Sequence, residues 1–364
     1  MILLLLQDCR SVKTENPINE FRNLADSVGF VGMQQCRSCH EDIYQSYMKT
    51  GMGQSFDFAS RTRSAASFGQ NNSVYDSTLD LHYKPFLKGD SIFIKEYRLL
   101  GGDTVHKRIE KVDYIIGSGH HTNSHMCSFN GYLYQAPITF YTQDGRWDLA
   151  PGFDNDNNSR FSRTIELECM SCHNGYPEIN EEAFNNYETI ARGIDCERCH
   201  GAGELHVKEK LAGKFIDTAK FIDYSIVNPA KLDKQAQMSL CQRCHLQGVS
   251  VLKEGKTFFD FKPSMNLSDI MEVFIPRYEG ERENFIMASH ADRLKQSNCY
   301  KSSEMTCISC HNPHKSVRLT GTNVFNAKCG KCHNSGNETC SLEINVRITT
   351  NDNNCVDCHM PSSG

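Results

Sequence analysis

The chain has 364 residues, enough for two or three ordinary domains, yet only 39% are hydrophobic, which by itself implies a thin core. A formal charge of -5 and the lack of a basic run exclude a nucleic-acid binder. No stretch is long and apolar enough for a transmembrane helix.

Met1 to Leu6 is an apolar stub without a basic flank, read as the tail of a signal peptide whose start is missing. Cys9 then becomes the lipidated first residue of a mature lipoprotein, although Asp8 is awkward before such a cysteine. A free or disulfide-bonded thiol is the alternative. Residues 1–30 are accordingly expected to be a leader remnant and linker.

The first of seven C-x-x-C-H motifs follows, Cys36, Cys39 and His40. The others are Cys169, Cys172 and His173; Cys196, Cys199 and His200; Cys241, Cys244 and His245; Cys307, Cys310 and His311; Cys329, Cys332 and His333; and Cys355, Cys358 and His359. Such a motif attaches c-type haem: two thiols bond to the porphyrin and the adjacent His ligates iron. Zinc ribbons also use C-x-x-C pairs, but need no His after each second Cys. Only 15 residues are His, and all seven pairs are followed by one. Seven covalent haems c then supply the apolar core that the side chains lack, and the apo chain is expected not to fold stably. Covalent haem and 18 cysteines place the protein outside the cytoplasm, in the periplasm, on the outer membrane as a lipoprotein, or outside the cell. Cys9, Cys127, Cys299 and Cys340 lie outside the motifs; Cys299 and Cys340 flank the fifth and sixth sites, where they either pair or stay free.

Residues 31–60 form a first haem segment. The next motif begins 133 residues after the first, whereas later intervals are 27, 45, 66, 22 and 26. The long gap reads as sheet. Leu79, Leu81 and Tyr83 alternate with Asp80, His82 and Lys84, a half-buried strand. Ser91 to Leu100 and Val105 to Val112 flank Gly101-Gly102-Asp103, a hairpin signal. Tyr132 to Tyr141 is a strand in which Pro137 marks an edge or a bulge. The loop from Asp154 to Arg160 begins like a calcium loop, but lacks the Gly and the closing Glu, leaving an Asn/Asp turn. A β-rich insert is therefore expected at 61–165, and a six-haem helical domain at 166–364. The fold class is α+β, mainly α, with closely packed haems. Helices are expected at Glu181 to Arg192 and Ser289 to Gln296, and Lys208 to Ala230 reads as helix then extended chain, stopped at Asn228-Pro229.

Eight histidines remain for the sixth iron positions. His314, close behind the fifth motif, cannot easily reach its own iron and suits a neighbouring one. His206 follows a flexible Gly-Ala-Gly turn, and His290 begins a short helix. At least one of His120, His121 and His125 is expected to bind iron, His121 first. His82 and His106 read as surface residues. Met52, between two glycines, is a sixth-ligand candidate that would raise a potential relative to paired imidazoles.

Val31 to Gln54, Cys196 to His206, Cys307 to His314 and the closing Cys355 to Pro361 resemble segments of multihaem c-type cytochromes. That group includes the tetrahaem electron carrier of nitrifying bacteria and pentahaem nitrite reductase. The insert, with Ile116 to His121 and Asp144 to Asp148, is similar to a subgroup of uncharacterised multihaem cytochromes. The resemblance implies stacked haems with paired imidazoles, and electron transfer with other cytochromes or membrane redox complexes in the cell envelope. Met52 stands where relatives commonly have His, and no C-x-x-C-K site of the nitrite-reductase kind occurs. Two further functions are open: a reductase or oxidase of a small nitrogen or sulfur compound at a five-coordinate haem, and a subunit of an extracellular haem filament or other homo-oligomer.

Overall fold

The computed structural model describes residues 21–69, 72–154, 156–276, 289–333 and 340–360; Cys9 and Pro361 lie outside them. Helix and sheet are mixed, an α+β arrangement. Helices α1 (Met33–Arg37) and α2 (Glu41–Tyr47) meet at the first motif.

Strands follow. A six-stranded antiparallel sheet runs β1-β6-β7-β8-β10, with β9 also on β8. Its members are β1 (Phe56–Phe58), β6 (Tyr114–Ile116), β7 (Thr122–Phe129), β8 (Tyr132–Tyr141), β9 (Arg146–Leu149) and β10 (Arg163–Thr164). A four-stranded antiparallel sheet comprises β2 (Val74–Asp76), β3 (Leu81–Lys88), β4 (Ser91–Leu100) and β5 (Asp103–Lys111). Gly101 and Gly102 take φ of 60° and 96° in the β4–β5 hairpin, a conformation that glycine adopts without strain. Alternation buries Leu81, Tyr83, Ile92 and Ile94 of the smaller sheet against Ile115, Cys127, Ile138 and Phe140 of the larger. Pro137 sits in a bulge: Ser124 pairs Thr139 and Met126 pairs Gln135, so the missing Pro N–H interrupts no ladder there. The loop after Asp154 docks on the smaller sheet through Asn158 Nδ2, which donates to Asp76 (2.7 Å) and Tyr83 (3.1 Å).

Each later motif forms or ends a helix. These are α3 (Leu167–His173), α4 (Glu197–His200), α6 (Lys234–His245), α9 (Cys307–Cys310), α10 (Thr322–His333) and α12 (Cys355–His359). Between them lie α5 (Glu204–Leu211), α7 (His290–Gln296), α8 (Asn298–Lys301) and α11 (Ile344–Asn351). Asp233 caps α6, its carboxylate accepting from Ala236 N at 2.8 Å. No helix among the described residues is long and apolar enough to cross a membrane.

One expected helix is absent, and one ribbon was not foreseen. Glu181 to Arg192 is not helical: Asn180 accepts from Glu182 N in a side-chain turn and Asn185 takes φ of 59°. The chain pairs instead as β11 (Glu178–Ile179) and β12 (Tyr187–Thr189), with Tyr187 buried and its hydroxyl on the Ile165 carbonyl (2.8 Å). A second ribbon, β13 (Val249–Leu252) with β14 (Met271–Phe274), was not foreseen. As expected, the chain after α5 stops at Asn228-Pro229, where a 3-10 turn opens that Asn228 caps by accepting from Ala230 N (3.1 Å).

Candidate cofactor site

All seven motifs face one cavity of ≈ 3780 Å³. Ordinary small-molecule pockets reach about 1,000 Å³. Its wall is made by α2, the motif helices, the 206–231 segment and one face of the larger sheet.

The motifs are bolted to one another. Cysteines of different motifs are neighbours: Cys36 lies beside Cys196, Cys172 beside Cys244, and Cys241 beside Cys307. Glu197, buried within the third motif, accepts from Val31 N (2.9 Å), Gly32 N (2.8 Å) and Gly203 N (2.7 Å), tying the approach to the first motif onto the third. Buried Asn23 donates to the carbonyls of His200 (2.9 Å) and Ala202 (3.1 Å). Cys355 N donates to Asn326 Oδ1 (3.1 Å), joining the seventh motif to the helix of the sixth. Neither Asn23 nor Glu197 carries a signal in the sequence, because each works through backbone groups distant along the chain.

Histidines from different segments oppose one another across the cavity. His206 faces His40, ring centroids 6.5 Å apart and planes at 21°. His314 faces His200 at 5.9 Å and 10°, and His290 meets His245 at 5.3 Å and 84°. Each of these pairs would supply the two imidazoles that hold one haem iron. His200 Nδ1 donates to the Val227 carbonyl (2.8 Å). His206 Nδ1 donates to Ser225 Oγ (3.0 Å), itself committed to Asp223 (2.6 Å). Both rings thereby keep Nε2 as the free lone pair. The His314 loop is anchored on α2, whose Ser46 Oγ donates to the His314 carbonyl (2.6 Å). Burial holds His173, His200, His206, His290, His311 and His314 below the ordinary imidazole value, the neutral form that binds metal. Cysteine pairs, lone pairs and cavity all fit covalent haem.

The 120–125 cluster divides. His120 and His121 line the cavity, but His125 does not. Strand β7 is buried on both sides: Ser124 and Met126 face the cavity, while His125 and Cys127 turn into the sandwich. His125 stacks on Trp147 at 4.8 Å, fully buried, so its expected metal role is withdrawn. His82 stacks between Tyr75 and Tyr97, and His106 hydrogen-bonds to Glu96 (2.9 Å), both away from the cavity. Met52 lines the cavity, its carbonyl accepting from Ile194 N (3.1 Å). Cys299 and Cys340 are exposed, unpaired thiols, and Cys127 is a buried one.

Residues 152–201, which hold the second and third motifs, match the family described as cytochrome c554 and c-prime. No curated protein matches the chain. Among solved structures, the outer cell wall cytochrome OcwA is similar at 17% identity and a TM-score of 0.41, over 67% of this chain and 45% of that one. This chain thus spans less than half the length of OcwA. The repeated motif, the cavity that gathers it and the matched segment together support a multihaem c-type cytochrome.

Proposed function

We propose that this protein is a seven-haem electron carrier, each C-x-x-C-H motif holding one haem c, which supplies one-electron Fe(III)/Fe(II) exchange. The observation that carries the reading is the opposition of histidines from separate segments across a cavity that all seven motifs share. In it His206, His314 and His290 serve as sixth ligands beside His40, His200 and His245. His120, His121 and Met52 serve three of the four remaining irons. The protein residues exclude water, orient imidazole lone pairs and hold neighbouring sites in contact, which is what rapid exchange between centres needs. Thioether chemistry and cysteine number support a place outside the cytoplasm, with other cytochromes or membrane redox complexes as partners. Replacement of His206 by Ala tests the pairing. Electron paramagnetic resonance is expected to show one low-spin haem converted to high spin; an unchanged spectrum contradicts the assignment.

A second reading has its own support. All fifteen histidines lie among the described residues, and only His120, His121, His206, His290 and His314 join the seven motif histidines at the cavity. Five imidazoles cannot complete seven irons. Met52 can serve one more, which leaves a position for a small nitrogen or sulfur compound and hence for a reductase or oxidase. Carbon monoxide binding to the reduced protein is expected, at one or two haems per chain. A protein inert to carbon monoxide and cyanide leaves the carrier reading alone.

A further inference from the structure

The residue before the second cysteine is Ser171 in the second motif, Arg198 in the third and Arg243 in the fourth. These three meet in the interior. Arg243 Nη2 donates to the Arg198 carbonyl (3.1 Å), and Arg198 Nη2 donates to the Ser171 carbonyl (2.7 Å). The sulfur atoms follow the same ladder: Cys172 Sγ lies 3.7 Å from the Arg243 carbonyl oxygen and Cys244 Sγ 3.7 Å from that of Ser171. Arg198 is 0% exposed and Arg243 5%. Arg198 lies over Tyr176 (4.9 Å) and Phe259 (4.6 Å), and Arg243 over Phe261 (5.3 Å).

Neither guanidinium has a carboxylate within 4.0 Å among the described residues. Nε and Nη1 of both make no hydrogen bond. The acids of the third motif are committed elsewhere: Asp195 accepts from Glu197 N (2.9 Å), and Glu197 holds three backbone N–H groups. Two buried like charges with no protein carboxylate beside them among the described residues are unfavourable. Aromatic faces and two carbonyls offset only part of that cost. A neighbouring centre that gains an electron offsets more, because each reduction adds a negative charge close to both cations.

We infer that Arg198 and Arg243 are a fixed pair of buried cations that raises the reduction potentials of the haems held by the second, third and fourth motifs. The inference rests on the haem-carrier reading. A unit charge about 10 Å from a redox centre, at an effective dielectric constant of about 20, shifts a one-electron equilibrium on the order of tenfold. That factor corresponds to about 59 mV.

The test uses the holoprotein with Arg198→Gln, Arg243→Gln, Arg243→Met and Arg198→Lys, each checked for haem content by mass and titrated potentiometrically. The Gln and Met variants are expected to lower two or three midpoints by about tenfold in the reduced-to-oxidised ratio, leaving the others in place. Arg198→Lys, which keeps the charge and loses the fork, is expected to keep wild-type midpoints. Neutral variants with full haem content and unmoved midpoints overturn the inference, as does a Lys variant that shifts as far as Gln. Should Arg243→Gln fail to fold, the Met variant decides. Wild-type protein without haem at these motifs overturns the carrier reading instead.

Discussion

His125 and the histidines four and five residues earlier show how one residue type separates into different roles within a few positions. His120 and His121 lie in the turn ahead of β7 and reach the cavity, whereas strand alternation carries His125 into the sandwich core. Burial without a counter-charge depresses its value from 6.5 to about 4. The neutral ring is therefore what the fold accommodates. Its contribution is fully present above pH 6.5 and is lost as pH falls toward 4, at most about 3 kcal/mol. Replacing His125 by Phe keeps a ring against Trp147 and removes the titrating group. Thermal melting between pH 7 and 4 is expected to fall less steeply for the variant than for wild type; parallel profiles would show that His125 is not an acid-sensitive element. Glu197 acts at the same scale. Glu197→Ala leaves three buried or half-buried N–H groups without their acceptor and is expected to cost about 3 kcal/mol, measured by denaturant unfolding. A loss below about 1 kcal/mol would mean that water replaces the carboxylate.

Elements differ in how plainly the sequence announces them. Strands β3 and β4 were legible because one face is buried and the other is not, so polarity alternates; the glycines at 101 and 102 marked the hairpin into β5, and aromatic, β-rich composition marked β8. Strand β7 lacks that alternation because both of its faces are covered, and nothing local distinguishes His125 from His121. The helix expected at 181–192 failed on two asparagines whose turn chemistry outweighed the propensity of the residues between them. Motif residues were legible from local spacing alone. The placing of His206 and His314 near other motifs was readable from chain reach, whereas the approach of His290 to His245 was not. The arginine ladder and the Glu197 clamp were not, since spacer positions look alike until three motifs are brought together.

On the scale of the whole molecule, side-chain packing is concentrated in the two sheets and their junction with α3, while the motif region surrounds a cavity. Such a region owes its stability to what it encloses. Polypeptide made in a host without cytochrome maturation is accordingly expected to lose cooperative melting in the helical part while the sheets persist; hydrogen exchange resolves the two, and uniform protection throughout would contradict it. The most direct measurement is the intact mass of protein secreted by a host competent in haem attachment, with peptide mapping of the modified cysteines. The expected result is polypeptide plus seven haems, with both cysteines of every motif modified. Bare polypeptide, bound zinc or any unmodified motif would contradict a seven-haem carrier.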